Sequence, residues 1–299
     1  MHFDGRTLAR LSRPDTAFGP AERGLAAADV TAVNLETAIT ERGTPLGKTY
    51  HFRAPARAFA ALRGAGVDVV SMANNHAADY GRTGLDDTLA AIDSTGFPVA
   101  GLGRDAASAY APRVLTVRGS RLAVLAASQV AEQTLATFPA GRSSPGIASA
   151  YSPRLLAAVR AARQDADVVV VLVHWGVEHT SCPSAAQRDL ARRLSAAGAD
   201  IVVGAHPHEL QGAGWLGSTF VAYSLGNYVW HATQYPRAYD TGVLTVRTTG
   251  RSVTTASFAP ARIDARGLPV PLTGAARTSA TRSFSALRSC AGLAARPAG

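Results

Sequence analysis

Histidine, asparagine and acidic residues gather in four short stretches of this chain: Asn34-Leu35-Glu36, Asn74-Asn75-His76, His174-Trp175-Gly176-Val177-Glu178 and Ala205-His206-Pro207-His208. Imidazole, carboxylate and amide oxygen form a donor set suited to Zn, Mn or Fe, and one that disfavours Cu(I) and iron–sulfur clusters. In extended geometry His206 and His208 project to the same side, so one segment can offer imidazoles to two neighbouring ions. A bridging carboxylate such as Glu36 would hold such a pair at the ~3.5–4 Å usual in two-metal hydrolases. The ions would acidify a water and polarise the group attacked, leaving an imidazole to protonate the leaving group. His76 is the candidate for that acid, with Asp79 three residues on to orient it. Each stretch alone reads equally well as a turn or a hydrogen-bonded surface group; their conjunction points to one shared site.

Such a site requires elements that bring all four stretches to one edge. Each follows an apolar run: VTAV before Asn34, VDVVSM (67–72), DVVVVLV (167–173) and ADIVVG (199–204), with RLAVLAA (121–127) as a further strand. Leu85, Leu89 and Ile92, and again Leu155, Val159 and Ala162, repeat at helical spacing. Ser184 and Gln187 are spaced as a capping box, opening a helix that Gly198 closes. From Leu25 to about Ile201 this alternation predicts an α/β domain with a largely parallel sheet, where ligands bind at the carboxyl ends of the strands. After Gly204 come TFVAYSL, TGVLTVRTT and RSVTTASFAPARI, strands without intervening helices, the last two joined by a turn at Thr249-Gly250-Arg251. These are expected to complete the sheet with antiparallel strands. Residues 1–265 read as one domain, and 266–299 as a basic Ala/Arg-rich tail without period, expected to be loosely ordered.

A chain of 299 residues, 47% hydrophobic, can bury a substantial core. Its longest aliphatic run, Val168 to Val173, is far short of the ~20 residues of a membrane span. The formal charge is +9, yet the thirty basic residues include a single lysine, Lys48, and the arginines are scattered outside the tail. No nucleic-acid-binding motif accompanies the charge, so no specific nucleic-acid partner is expected; an anionic polymer or a small acidic substrate suits it better. Cys182 and Cys290 are too few and too far apart for a CxxC metal site or a disulfide scaffold, and one bridge between them stays open.

The segments NLETAIT (34–40), KTYHFRAP (48–55), SMANNHAADYG (71–81), VHWGVEH (173–179), GADIVVGAHPH (198–208) with the following ELQG, and SLGNYVW (224–230) carry a resemblance. Over about Phe3 to Asp240 the chain is similar to the bacterial capsule-synthesis CapA (PgsA) family of poly-γ-glutamate biosynthesis. The resemblance implies a layered α/β sandwich of the metallophosphatase-like, calcineurin-like kind holding a pair of divalent ions. It puts Asn75 and His76 at the Asn-His motif, His174 as the lone strand-end ligand, His206 and His208 as the paired one, and Glu36 where a bridging Asp usually stands. Arg53 and Glu178 look like substrate contacts, with Asn74 beside them. Chains of this kind open on an Asp-x-His strand end whose Asp, and often His, binds metal; His2 matches that His, and Asp4, on its other side, cannot replace the Asp. The chain therefore reads as lacking a first strand. Either a GTG valine codon has been taken as the start, with the strand, its Gly-Asp and any export signal upstream, or the start is genuine and the site degenerate.

Two classes of function follow. One is a metal-dependent hydrolase or transferase acting on a γ-glutamyl amide or a phosphoester. The other is a non-catalytic envelope protein that assists assembly or export of an anionic polymer with other capsule-biosynthesis proteins. The resemblance implies the cell envelope, while the chain as it stands carries no leader and reads as cytoplasmic.

Overall fold

Valine at every position from 168 to 171 leaves a strand without a polar face, and such a strand needs a core on both sides. The computed structural model, which describes residues 1–3, 5–13, 17–230 and 235–297, provides both. Val169, Val171 and Val173 pack with Leu155, Val159, Leu190 and Leu194 of the helices Pro153–Asp165 and Ala185–Ala197. Val168, Val170 and Leu172 enter a second cluster with Val69, Trp215 and Phe220. Period-2 alternation thus divides one apolar strand between two cores.

That strand, Val168–His174, is central in a six-stranded sheet whose spatial order is Ala213–Leu216, Thr219–Ala222, Ile201–Ala205, Val168–His174, Ser120–Ser128, Arg113–Val117. The four inner strands are parallel and both edges antiparallel. A three-stranded parallel sheet, Ala32–Asn34, Val69–Ser71 and Val99–Ala100, lies against it. Val69 joins the shared inner cluster, while Val70 turns outward to Phe59, Leu62, Leu85 and Leu89 of the helices Arg57–Gly64 and Gly81–Thr95. The layers are helix, sheet, sheet, helix, the layered α/β sandwich that was expected. The capping box at Ser184 and Gln187 forms as expected, and Gly198 ends that helix in the left-handed region.

Of the three strands expected to complete the sheet, the TFVAYSL segment does so, though parallel to Ile201–Ala205 rather than antiparallel. Asp240–Thr249 and Ser252–Ile263 instead pair with each other, turning at Gly250, and with Pro269–Pro271. So long a hairpin satisfies its own backbone, and its apolar side, with Leu244, Val246 and Phe258, covers the inner cluster. The tail also departs from expectation, since Gly274–Ala286 is a helix. Phe284 stacks on Phe258 at 4.0 Å, and Trp215 and Ala294 exchange two backbone hydrogen bonds of 2.9 Å. A disulfide joins Cys182 to Cys290 in the following short helix Arg288–Ala291. Anchors as sparse as Phe284 and Leu287 leave no periodic signal in the sequence.

Candidate metal centre

The strand ends bring the four polar stretches together. Glu36, His174 and His206 offer ligand atoms that all lie within 4.8 Å of one another, and so do Glu178, His206 and His208. Glu36 Oε1 is 3.6 Å from His174 Nε2 and 4.0 Å from His208 Nε2, and it is buried without accepting any hydrogen bond. Its other oxygen accepts from Asn34 Nδ2 at 3.0 Å. Asn75 Oδ1 lies 2.9 Å from His174 Nε2. A buried carboxylate oxygen left without a donor costs free energy that a bound cation would recover, and amide oxygen and imidazole complete the set. Burial, reinforced by the neighbouring His206, His208 and His76, pushes His174 well below the usual histidine range. Burial, with His208, His76 and His179, pushes His206 down to about 3. Both imidazoles are therefore neutral at physiological pH, which is the form that binds metal. These residues fit a divalent ion.

Backbone geometry sets the donor directions. His206 and His208 both adopt positive φ, +101° and +56°, a region that non-glycine residues occupy only when their surroundings hold them there. Trp175 N donates to Ala205 O at 3.0 Å and His179 N to Pro207 O at 2.8 Å, clamping the His-Pro-His turn from the neighbouring loop. A side chain at Gly204 would collide with Tyr223 O and the Trp175 indole, so glycine there lets Trp175 close the core beneath the site. Asn227 gives its amide N–H to Ala238 O at 3.1 Å, which turns Oδ1 toward His208 Nδ1 at 2.8 Å. The His208 proton is thus held on Nδ1, and Nε2 faces the carboxylates of Glu36 and Glu178.

His76 is oriented as expected. Its Nδ1 lies 2.7 Å from Asp79 Oδ2, which also accepts from Phe52 N at 2.7 Å. Lys48, whose role the sequence did not suggest, pairs with Asp79 Oδ1 at 2.5 Å and donates to Asn75 O at 2.6 Å. With Nδ1 engaged, Nε2 is the His76 atom left to move a proton.

Other expected residues fall elsewhere. His2 is in neither ligand group found among the described residues; its ring stacks on Phe52 at 4.1 Å and meets the edge of Trp230 at 3.9 Å. Around it, Met1 N donates to Asn34 O at 2.6 Å, Glu36 N to Met1 O at 2.7 Å and His2 N to Val229 O at 3.3 Å. Asn74, expected to touch substrate, is fully buried. Its amide donates to Leu35 O at 2.9 Å and accepts from His76 N at 3.1 Å, so it ties two strand ends together. Arg53 is exposed and lies over the Tyr80 ring at 4.6 Å. Trp175 is wholly in the core, whereas Trp230 packs on His208 with ring centres 4.5 Å apart. Asp4 lies outside the described residues. Asn227 and Glu132, which accepts from Asn75 Nδ2 at 2.9 Å, were also missed; Asn227 at least stands inside the SLGNYVW segment. A cavity of about 190 Å³ opens beside Glu36, His206 and His208, with Val33 and Val243 in its walls.

Residues 2–232, from His2 through all four polar strand ends, match the family model of the bacterial capsule synthesis protein PGA_cap. The chain belongs to this family. This PGA_cap member is 34% identical over 218 residues to the PGA biosynthesis protein CapA of Bacillus subtilis (strain 168), covering 72% of this chain and 57% of that protein. It is 32% identical over 232 residues to the capsule biosynthesis protein CapA of Bacillus anthracis, covering 76% of this chain and 55% of that protein. The chain therefore spans little more than half the length of these relatives. Among solved structures, a hypothetical protein from Thermus thermophilus matches with a TM-score of 0.52 over 86% of this chain and 94% of that one. At 17% identity the likeness is one of fold.

Proposed function

We propose that this PGA_cap-family chain is a metal-dependent hydrolase or transferase of capsule or poly-γ-glutamate biosynthesis, acting on a γ-glutamyl amide or a phosphoester. Two divalent ions would be held by Glu36, Asn75, His174, His206 and His208. The observation that carries this reading is Glu36 Oε1, buried between two imidazoles with no hydrogen bond of its own. When bound, such ions would polarise the group attacked and acidify a water. His76 supplies the proton to the leaving group from Nε2, Asp79 fixes its ring, and Lys48 holds Asp79 in place. Phe52 against His76 and Trp230 against His208 keep water from that side of the imidazoles.

The names of the relatives, together with the +9 charge, support an anionic polymer as substrate or partner. The Cys182–Cys290 bridge supports a place outside the reducing cytoplasm, at the cell envelope. Metal-reconstituted protein should be assayed on γ-glutamyl-p-nitroanilide and on bis(p-nitrophenyl) phosphate. We expect turnover of one of them, and a loss of about 10²–10⁴-fold in His76→Asn with bound metal unchanged. Wild-type protein that binds no metal, or a His76→Asn variant as fast as wild type, would sink the enzymatic reading in favour of a non-catalytic part in polymer assembly or export.

A further inference from the structure

Glu178 was expected at the substrate, yet the fold carries it to the imidazoles. Its carboxylate stands 3.9 Å from His208 Nε2, the same nitrogen that faces Glu36 at 4.0 Å, and Asn227 on the far side of the ring turns that lone pair toward both acids. Glu178, His206 and His208 form a ligand group of their own within 4.8 Å. His206 adds a buried Nδ1 that has no hydrogen-bond partner.

The loop carrying Glu178 is built to stay in place. Gly176, at φ +92°, turns the chain back after the buried Trp175, and any side chain there would meet Gln187 at 2.7 Å. One residue beyond Glu178, His179 bonds Pro207 O directly and stacks its ring on Tyr235 at 3.5 Å. Gln211 Nε2 donates to Thr180 O at 2.8 Å, and two residues further on Cys182 is bridged to Cys290. Four ties in seven residues fix the backbone around Glu178 beside the His-Pro-His turn, and its second carboxylate oxygen lies 3.8 Å from His179 Nε2.

We propose that Glu178 is a metal ligand, forming with His208 and the shared carboxylate of Glu36 a second position for a divalent cation beside the one at Glu36, His174 and His206. This rests on the two-metal reading of the site. Mixed carboxylate and imidazole donors suit Mn or Zn, and a half-exposed carboxylate at the mouth lets that ion enter last and leave first.

Chelator-stripped protein should be titrated with Mn(II) by calorimetry, and metal per chain counted by elemental analysis after gel filtration. Wild type is expected to take two ions and Glu178→Gln one, its second ion bound at least about tenfold more weakly, since even residues behind the ligands typically cost about 10–100-fold. Glu178→Asp, which keeps the charge on a shorter arm, is expected in between. An unfolding temperature equal to wild type will verify that the half-exposed substitution leaves the fold alone. Two ions at unchanged affinity in Glu178→Gln overturn this inference and leave the two-metal reading standing. Fewer than two ions in wild type overturn both.

Discussion

The bridge between Cys182 and Cys290 closes a loop of 108 residues, and its contribution can be worked from that separation. The loop-closure relation removes about 16 cal/mol/K from the unfolded chain, about 4.8 kcal/mol at 25 °C. Replacing both cysteines by serine leaves the folded tail its own attachments: the Phe284–Phe258 stack, the paired bonds between Trp215 and Ala294, and Leu287 against Gly212. The variant should therefore fold, with the loss appearing almost wholly as restored freedom in the unfolded state. Unfolding entropy of about 2.1 cal/mol/K per residue gives about 0.63 kcal/mol/K for a chain of this length, so the calorimetric midpoint should fall by about 8 °C. The comparison is oxidised wild type against Cys182→Ser/Cys290→Ser, with free thiols counted in denaturant beforehand. Two titratable thiols in the unreduced wild type would refute the bridge outright. A midpoint within a degree of wild type would refute the premise that the tail and the α/β core unfold as one unit.

Two further outcomes are expected. Because His206 is pushed down to about 3 in the folded state and titrates near 6.5 when unfolded, the unfolded chain binds more protons between those values, and stability falls as pH drops below 6.5. In metal-free protein this residue alone should cost about 2 kcal/mol at pH 5 relative to pH 8, read from urea midpoints; a His206→Gln variant with the same pH slope would show that the cause lies elsewhere. Asn227→Ala, which frees His208 Nδ1, should weaken Mn(II) binding by about 10–100-fold while leaving the secondary structure intact by circular dichroism; unchanged affinity would mean that Asn227 does not set the His208 tautomer.

Strand ends were legible because alternation, caps and polar clusters are local signals. Gly198, Ser184 and Gln187 could be placed without any knowledge of what they pack against. The convergence of the four polar stretches followed from one general rule about open parallel sheets, applied to four runs. What could not be read depends on distant pairings. Lys48 meets Asp79 across 31 positions, Asn227 meets His208 across 19, and the cysteines meet across 108. His2 matched a ligand position by type, but only the folded chain shows Phe52 and Trp230 against its ring. Asn74 sits in the right cluster with its amide already committed to Leu35 and His76, a difference that sequence spacing does not encode. The C-terminal hairpin had the right strands and the wrong neighbours, since period-2 patterning says which face is buried and not against which sheet.

The backbone of the His-Pro-His turn has a bearing on how this chain can change over generations. Histidine at φ +101° and +56° carries strain of roughly 1–3 kcal/mol at each position, which glycine would avoid. Mutation toward glycine would therefore relieve the fold and remove two imidazoles at the same stroke. If His206 and His208 hold metal as proposed, selection for stability and selection for ion binding pull in opposite directions at these two codons, and a descendant with no use for metal would be expected to lose its histidines here before the core around Trp175 eroded.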